Sequence, residues 1–269
     1  MIKMKKIGFI GVGNIANAII NGAVKGGIFS EKDLVLYDPD PQKLNEFVLK
    51  GAFAAEGLTE LAKLADVLFL TVKPQILMSV LGELNGCIKQ NTLIISPVAG
   101  VKIEKINTAL GGGKKIIRVM PNTPLMYSAG ATAIATGNGI ESDDLAFCEK
   151  IFSSSGVTAV LPEEQIDAVT GVSGSSPAFF MRFAREIINE GVAQGLSKEN
   201  AEKLVLGTML GTAKMMLESD RTADELIKAV ASPGGTTEAG LKTMDSLDFD
   251  NAVSKIISAA IKRSEELSK

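Results

Sequence analysis

The chain has 269 residues, 46% of them hydrophobic and 22% charged, with a formal net charge of −3. That balance fits one large or two ordinary globular domains, and the lack of any basic run beyond the opening "KMKK" argues against a nucleic-acid surface. Histidine is absent, which excludes imidazole acid–base chemistry, His-based triads and His-ligated metals, so no metal site is expected. Cys87 and Cys148 lie far apart without metal spacing, no apolar stretch reaches the roughly 20 residues of a membrane span, and the first apolar run is too short and glycine-rich for a signal peptide; a cytoplasmic protein is expected.

In chain order, "KKIGFI" (5–10) predicts a strand and "NIANAIINGAVKGG" (14–27) a helix closed by glycines. A strand at 34–38 and a helix at 41–51, with proline near its start, follow. "DVLFLTV" (66–72) is apolar almost throughout, as for a strand buried on both faces, and a helix over 74–84 comes next. Further strands are predicted at 92–98, 115–120, 130–136 and 156–161. Strands alternating with helices of about ten residues predict a parallel, doubly wound α/β domain over 1–162.

The first strand–helix junction reads Gly11-Val12-Gly13-Asn14-Ile15-Ala16, a G-x-G-x-x-A pattern. Its first glycine permits a tight turn, its second lets a pyrophosphate approach the backbone, and its small last residue lets helix and strand pack closely. The helix N-terminus offers free N–H groups to phosphates. Asp38 ends the second strand 22 residues after Ala16, where an acid binds a ribose 2′-OH. A nicotinamide dinucleotide is therefore expected, NADH or NADPH, with Asp38 leaning toward NADH and Lys43 as a possible offset. Ligands of such sheets sit beyond the carboxyl ends of the strands, which here carry Lys73-Pro74, the Pro97–Gly100 loop with Val98 and Ala99, and "MPNTP" (120–124) with Asn122.

From 163 to 269 no strand pattern survives, and an all-α bundle is predicted: helices at 163–172, 176–195 and 198–219, a short one to about Ala231, and two more to the end. Ser197 reads as an N-cap and Thr222 to Glu225 as a capping box. The apolar faces, with Gly207, Gly211 and Ala213 along one helix, predict a homodimer. "VASPGGTTEAGLKTMD" (230–245) breaks the helices, and two readings fit it. One is a capped turn; the other is a carboxylate site made by the N–H groups of Gly235, Thr236 and Thr237 at a helix start. "VSGSSPA" (172–178), with Ser175, is a second loop of the same kind.

"GFIGVGNIANAI", "TVKPQ", "VMPNTP", "VTGVSGSSPAF", "GTAKMMLES" and above all "SPGGTTEAGL" resemble, in order along the whole chain, the Δ1-pyrroline-5-carboxylate reductases. The resemblance implies a Rossmann-type domain followed by a helical domain that interlocks with a second subunit, with further assembly into decamers open to it. It implies reduction of 1-pyrroline-5-carboxylate to L-proline by NAD(P)H, the last step of proline biosynthesis. Carried onto this chain, Gly11 to Ile15 cradle the pyrophosphate, and Lys73 and Val98–Gly100 line the nicotinamide side. Ser232 and the backbone of Gly235 to Thr237 hold the substrate carboxylate, Thr237 is the catalytic hydroxyl at the ring nitrogen, and Glu163 and Asp220 match acids near the substrate. Leu58 stands where some members carry a polar cofactor contact. Two rival readings are a related 3-hydroxyacid-type dehydrogenase and a non-catalytic NAD(H) sensor. The first needs a general base, yet the chain has no histidine and no lysine between Lys150 and Lys198. The second has no use for an intact SPGGTT loop.

Overall fold

A computed structural model describes residues 5–268, which form two compact units. One comprises the described residues up to Ser175 together with 260–268; the other is Ser176–Ala259.

The first unit opens with β1 (Ile7–Ile10), α1 (Asn14–Lys25), β2 (Leu34–Tyr37), α2 (Asn45–Leu49), β3 (Phe53–Ala54), α3 (Leu58–Leu64), β4 (Val67–Leu70) and α4 (Pro74–Leu84). It continues with β5 (Leu93–Ser96), α5 (Ile103–Ala109), β6 (Lys115–Met120), β7 (Gly130–Thr136), α6 (Ser142–Ser153), β8 (Gly156–Val160) and α7 (Ile166–Val169). The eight strands form one sheet in the order β3-β2-β1-β4-β5-β6-β7-β8. Alternation along each strand builds two apolar layers. Ile7, Phe9, Val67, Phe69, Ile95 and Ile117 meet α1 and α6 through Ile19, Ile20, Ile151 and Phe152. Ile10, Leu68, Leu70, Ile94 and Ile116 meet α3, α4 and α5 through Leu61, Leu77, Leu81 and Ile106. Both faces are covered, which is why the central strands read as unbroken apolar runs. Leu58 is buried in the second layer.

Three expectations change. The sheet is not parallel throughout: β7 runs antiparallel to β6, with Ile117 opposite Thr136 and Met120 opposite Ala133, and β8 is parallel to β7. The link from β6 to β7 is the loop 121–129, too short for the helical crossover of about a dozen residues that a parallel neighbour requires. The helix expected at 41–51 divides into a 3-10 turn (Pro41–Leu44) and α2. The helix expected at 163–172 is a 3-10 turn (Glu163–Gln165), α7 and a π-helical turn (Thr170–Gly174), in which the Ser175 N–H donates to the Thr170 carbonyl, five residues back.

The second unit holds α8 (Ser176–Ala193), α9 (Lys198–Glu218), α10 (Ala223–Val230), α11 (Thr236–Ser246) and α12 (Phe249–Leu267) up to Ala259. Ser197 caps α9 by accepting the Asn200 N–H, and Thr222 and Glu225 form the capping box of α10. Its buried apolar side chains among the described residues are Ala184, Ala201 and Leu226, whereas Phe180, Met181, Leu204, Leu210 and Leu217 are exposed. Helices with such faces and so small a core of their own need a further surface to cover them. No helix among the described residues is long and apolar enough to cross a membrane.

Candidate functional site

The glycine-rich turn is stitched at four points. The Gly11 N–H donates to the Tyr37 carbonyl at 2.8 Å, and the Val12 N–H donates to Asp38 Oδ2 at 2.8 Å. Thr71 Oγ1 donates to the Gly11 carbonyl at 2.6 Å, and Asn17 Nδ2 donates to the Gly13 carbonyl at 2.9 Å. Gly11 has φ +87°, and a Cβ there would stand 2.8 Å from the Thr71 carbonyl oxygen, so fold and sterics both demand glycine. Gly13 differs. Its backbone is extended, and a Cβ would meet no atom within 4 Å. The protein leaves open space in front of that residue, directly at the start of α1. This fits a dinucleotide whose phosphates lie over Gly13 at the positive end of a helix. Of Gly11 to Ile15, expected to cradle a pyrophosphate, Gly11 and Val12 have their N–H groups tied to Tyr37 and Asp38, so the N–H groups left by the turn begin at Gly13, the N-cap of α1.

Asp38 is only 8% exposed. Its Oδ1 accepts the Asp40 N–H at 2.9 Å and the Lys43 ammonium at 3.0 Å. Burial pushes the carboxyl up, but the Asp40 and Val12 N–H groups and Lys43 together outweigh it and hold Asp38 below the ordinary range. Asp38 is therefore a carboxylate at neutral pH, and it positions the glycine turn through the Val12 N–H.

Lys73 precedes Pro74, the first residue of α4, and both are exposed. After β5, Val98 and Gly100 are buried and Ala99 is half-buried, with the Val98 N–H 3.4 Å from Ser96 Oγ. Beyond β6, Asn122 Oδ1 accepts the Ala131 N–H at 2.9 Å, and its Nδ2 lies 3.3 Å from the Ser173 carbonyl. Asn122, expected at the cofactor, thus has its amide committed to fastening the 120–124 loop to residue 173. Glu163, expected near the substrate, accepts the Ile103 N–H at 2.7 Å and pairs at 3.2 Å with Arg118, which is 2% exposed. Its carboxylate anchors the start of α5 and compensates a buried guanidinium. Ser175 is half-buried and closes the π-helical turn. All these residues sit at the carboxyl ends of β1, β2, β4, β5 and β6 or on the 163–175 segment.

In the helical unit, Pro233 to Gly235 break the chain between α10 and α11. Gly234 takes φ +71°, and the Gly235 N–H donates to the Ser232 carbonyl at 2.9 Å, closing a turn. Gly235 is thus not a free donor, which corrects the expectation that it stands with Thr236 and Thr237. The helix start leaves the N–H groups of Thr236 and Thr237, unpaired by the geometry of any first turn. Glu238 accepts the Gly234 N–H at 2.7 Å. That bond first, and Lys242 second, hold its carboxyl below the ordinary range. The N-cap, Gly235, has no side-chain cap, and the Thr237 hydroxyl has no hydrogen-bond partner among the described residues. Ser232 and Asp220 are exposed, Asp220 lying in the link between α9 and α10.

Sequence reasoning missed Thr71, Asn17, Arg118 and Ser173. Thr71 and Arg118 carried a signal, being polar groups in or just after apolar strands. The other two act through a partner distant in sequence or through a loop backbone, which no local pattern marks.

Comparison with known proteins finds relatives along the whole chain. Residues 163–267 match the family model described as pyrroline-5-carboxylate reductase dimerisation, and residues 6–100 match that of the coenzyme F420-dependent NADP oxidoreductases. The pyrroline-5-carboxylate reductase of Escherichia coli is 36% identical over 98% of this chain and 99% of its own. A Coxiella burnetii pyrroline-5-carboxylate reductase structure superposes with a TM-score of 0.91 at 33% identity, covering 99% of this chain and 100% of that one. The Plasmodium falciparum pyrroline carboxylate reductase, solved with NADP bound, gives a TM-score of 0.90 at 30% identity over 98% of each chain. With 36% identity along almost the whole of both chains and a family model covering the helical part, the chain belongs to the pyrroline-5-carboxylate reductase family.

Proposed function

We propose that this protein reduces 1-pyrroline-5-carboxylate to L-proline at the end of proline biosynthesis, in the cytoplasm, with hydride from NADH or NADPH. The observation that carries this reading is full-length kinship with curated reductases, combined with an intact SPGGTT break at the start of α11. The coenzyme supplies the hydride. Residues up to 162 are assigned to holding it and residues 163–269 to substrate and dimerisation. The N–H groups from Gly13 to Ile15 hold the phosphates, Asp38 the ribose, and Lys73, Pro74 and Val98–Gly100 the nicotinamide side. Ser232 and the Thr236 and Thr237 N–H groups hold the substrate carboxylate, and the Thr237 hydroxyl holds the ring nitrogen. Asp220 stands close to the substrate, while Glu163, Ser175 and Asn122 act by fixing loops.

The absence of histidine suits this chemistry. A cyclic imine is basic enough to be protonated near neutral pH, and hydride addition discharges that positive charge. No base has to remove a proton, as alcohol oxidation requires, so orientation and electrostatics carry the reaction. The test is the loss of reduced-coenzyme absorbance with 1-pyrroline-5-carboxylate, NADH and NADPH run in parallel. No oxidation with either coenzyme would remove the reading in favour of a hydroxy-acid dehydrogenase or a sensor.

Asp38 leans the coenzyme choice toward NADH, because a fixed carboxylate repels a 2′-phosphate. Lys43 is half-exposed and able to leave Asp38 for that phosphate. Replacing Lys43 with Ala therefore raises the KM for NADPH about fivefold, the worth of one exposed ion pair of about 1 kcal/mol, and shifts that for NADH less. Equal shifts for both coenzymes would remove Lys43 from the discrimination.

The exposed apolar faces of α8 and α9 point to a homodimer as the working unit, with decamers as the further assembly. Light scattering at micromolar concentration gives at least twice the 28.3 kDa chain mass. A monomer there would overturn the assignment.

A further inference from the structure

The loop between β5 and α5 is held from two sides. Glu163 takes the Ile103 N–H at its far end. Its middle residue, Gly100, is buried with φ +72° and backs onto the last turn of α12: a Cβ on Gly100 would stand 3.0 Å from both Cβ and the carbonyl oxygen of Leu267. That turn is pinned by one carboxylate. Ser264 Oγ donates to Asp167 Oδ1 at 2.6 Å, and Ser268 Oγ, one turn on, lies 3.0 Å from the same oxygen. Both serines are buried, at 4% and 8% exposure. Residues 260–268 belong to the same compact unit as the sheet, so the last turn of α12 is tied to Asp167 through Ser264 and Ser268 and lies against Gly100 through Leu267.

The arrangement does more than add core. Leu267 remains 56% exposed, so the contact removes little apolar surface from water. A buried polar network of this kind fixes geometry more than it adds stability. The turn it holds is the one that lies against Gly100.

We propose that Asp167 is a positioning residue for the coenzyme: through Ser264, Ser268 and Leu267 it sets the conformation of the 98–100 loop without touching the coenzyme itself. This rests on the reading that the loop faces the nicotinamide. It gives a role to Asp167 and to the end of α12 that neither the glycine turn nor the SPGGTT loop supplies.

The test compares wild type with Asp167→Ala, Asp167→Asn and the double variant Ser264→Ala/Ser268→Ala. Hydrogen–deuterium exchange of the Ala99 and Val101 amides is read without coenzyme, and the NADH dissociation constant by nucleotide fluorescence. Asp167→Ala speeds exchange in the loop and weakens NADH binding about fivefold, the effect of losing a net hydrogen bond of about 1 kcal/mol. The double serine variant reproduces it, and Asp167→Asn, which keeps an acceptor oxygen, stays near wild type. Unchanged exchange and unchanged NADH binding in Asp167→Ala would overturn the proposal. So would Asp167→Asn behaving like Asp167→Ala, since the charge and not the hydrogen bond would then matter. If Asp167→Ala fails to fold, the double serine variant decides: it leaves the carboxylate in place but removes both hydroxyls that tie it to α12, and an unaltered loop there sinks the idea. Neither readout needs imine turnover, so a wild-type protein that binds NADH but leaves the imine unreduced would refute the proposed function and leave this test intact.

Discussion

Replacing Thr237 with Ala lowers turnover of 1-pyrroline-5-carboxylate by about 10- to 100-fold, the cost of a hydrogen bond of roughly 1.5–3 kcal/mol to a charged group, and leaves the NADH dissociation constant nearly unchanged. The structure makes this a clean experiment. Thr237 lies in the first turn of α11, half-buried, with its hydroxyl unpartnered among the described residues. The turn before the helix is closed by Gly235 and Ser232 and by Glu238 on Gly234, none of which uses that hydroxyl. Alanine also favours the helix more than threonine does, so the variant loses no stability. A drop in turnover is then a loss at the reacting nitrogen and not a folding defect. Thr237→Ser keeps the oxygen and retains most of the activity. Turnover at wild-type level in Thr237→Ala would leave the α11 helix start holding the substrate carboxylate and take the hydroxyl out of the mechanism.

What the sequence shows and hides follows from the reach of each signal. The glycine turn is legible because its three small residues and the flanking strand and helix lie within twenty residues of one another. The break before α11 is legible for the same reason, since Pro233, Gly234 and Gly235 interrupt a helical pattern locally. The direction of β7 is not legible: "GATAIAT" announces a strand, but only the length of the preceding link settles which way it runs. The roles of Asn122 and Glu163 are hidden for another reason. Their partners, Ser173, Ile103 and Arg118, lie 45 to 60 residues away, and only folding brings them together. Asp38 shows both cases. Its place at the end of β2 is visible, whereas its bond to the Val12 N–H, 26 residues earlier, is not. The Gly235 N–H fails as a free donor because Ser232, three residues back, captures it in a turn whose closure no composition rule specifies.

Gly11 and Gly13 of the glycine-rich turn, alike in sequence, respond to substitution in opposite ways. Gly11→Ala places a Cβ at φ +87° and 2.8 Å from a backbone oxygen that is itself fixed by β4. The left-handed conformation costs about 1–2 kcal/mol, and displacement of the Thr71 carbonyl adds to it. A total on the order of 3 kcal/mol lowers the melting temperature by roughly 10 °C in a protein of this size. Gly13→Ala meets neither obstacle, since its backbone is extended and the space before it is open. Its melting temperature stays at the wild-type value, and the loss falls on binding. A methyl group where a phosphate must approach the backbone removes charge-assisted hydrogen bonds worth roughly 1.5–3 kcal/mol, weakening NADH about 10- to 100-fold. Calorimetric melting and NADH titration on the two variants separate the effects. If Gly13→Ala bound NADH like wild type, the phosphates would not pass over Gly13 and the open space there would need another occupant. If it melted early instead, the space would belong to the fold. Stability lost at Gly11 and affinity lost at Gly13 is the pattern of a turn whose first glycine serves the chain and whose second serves the ligand.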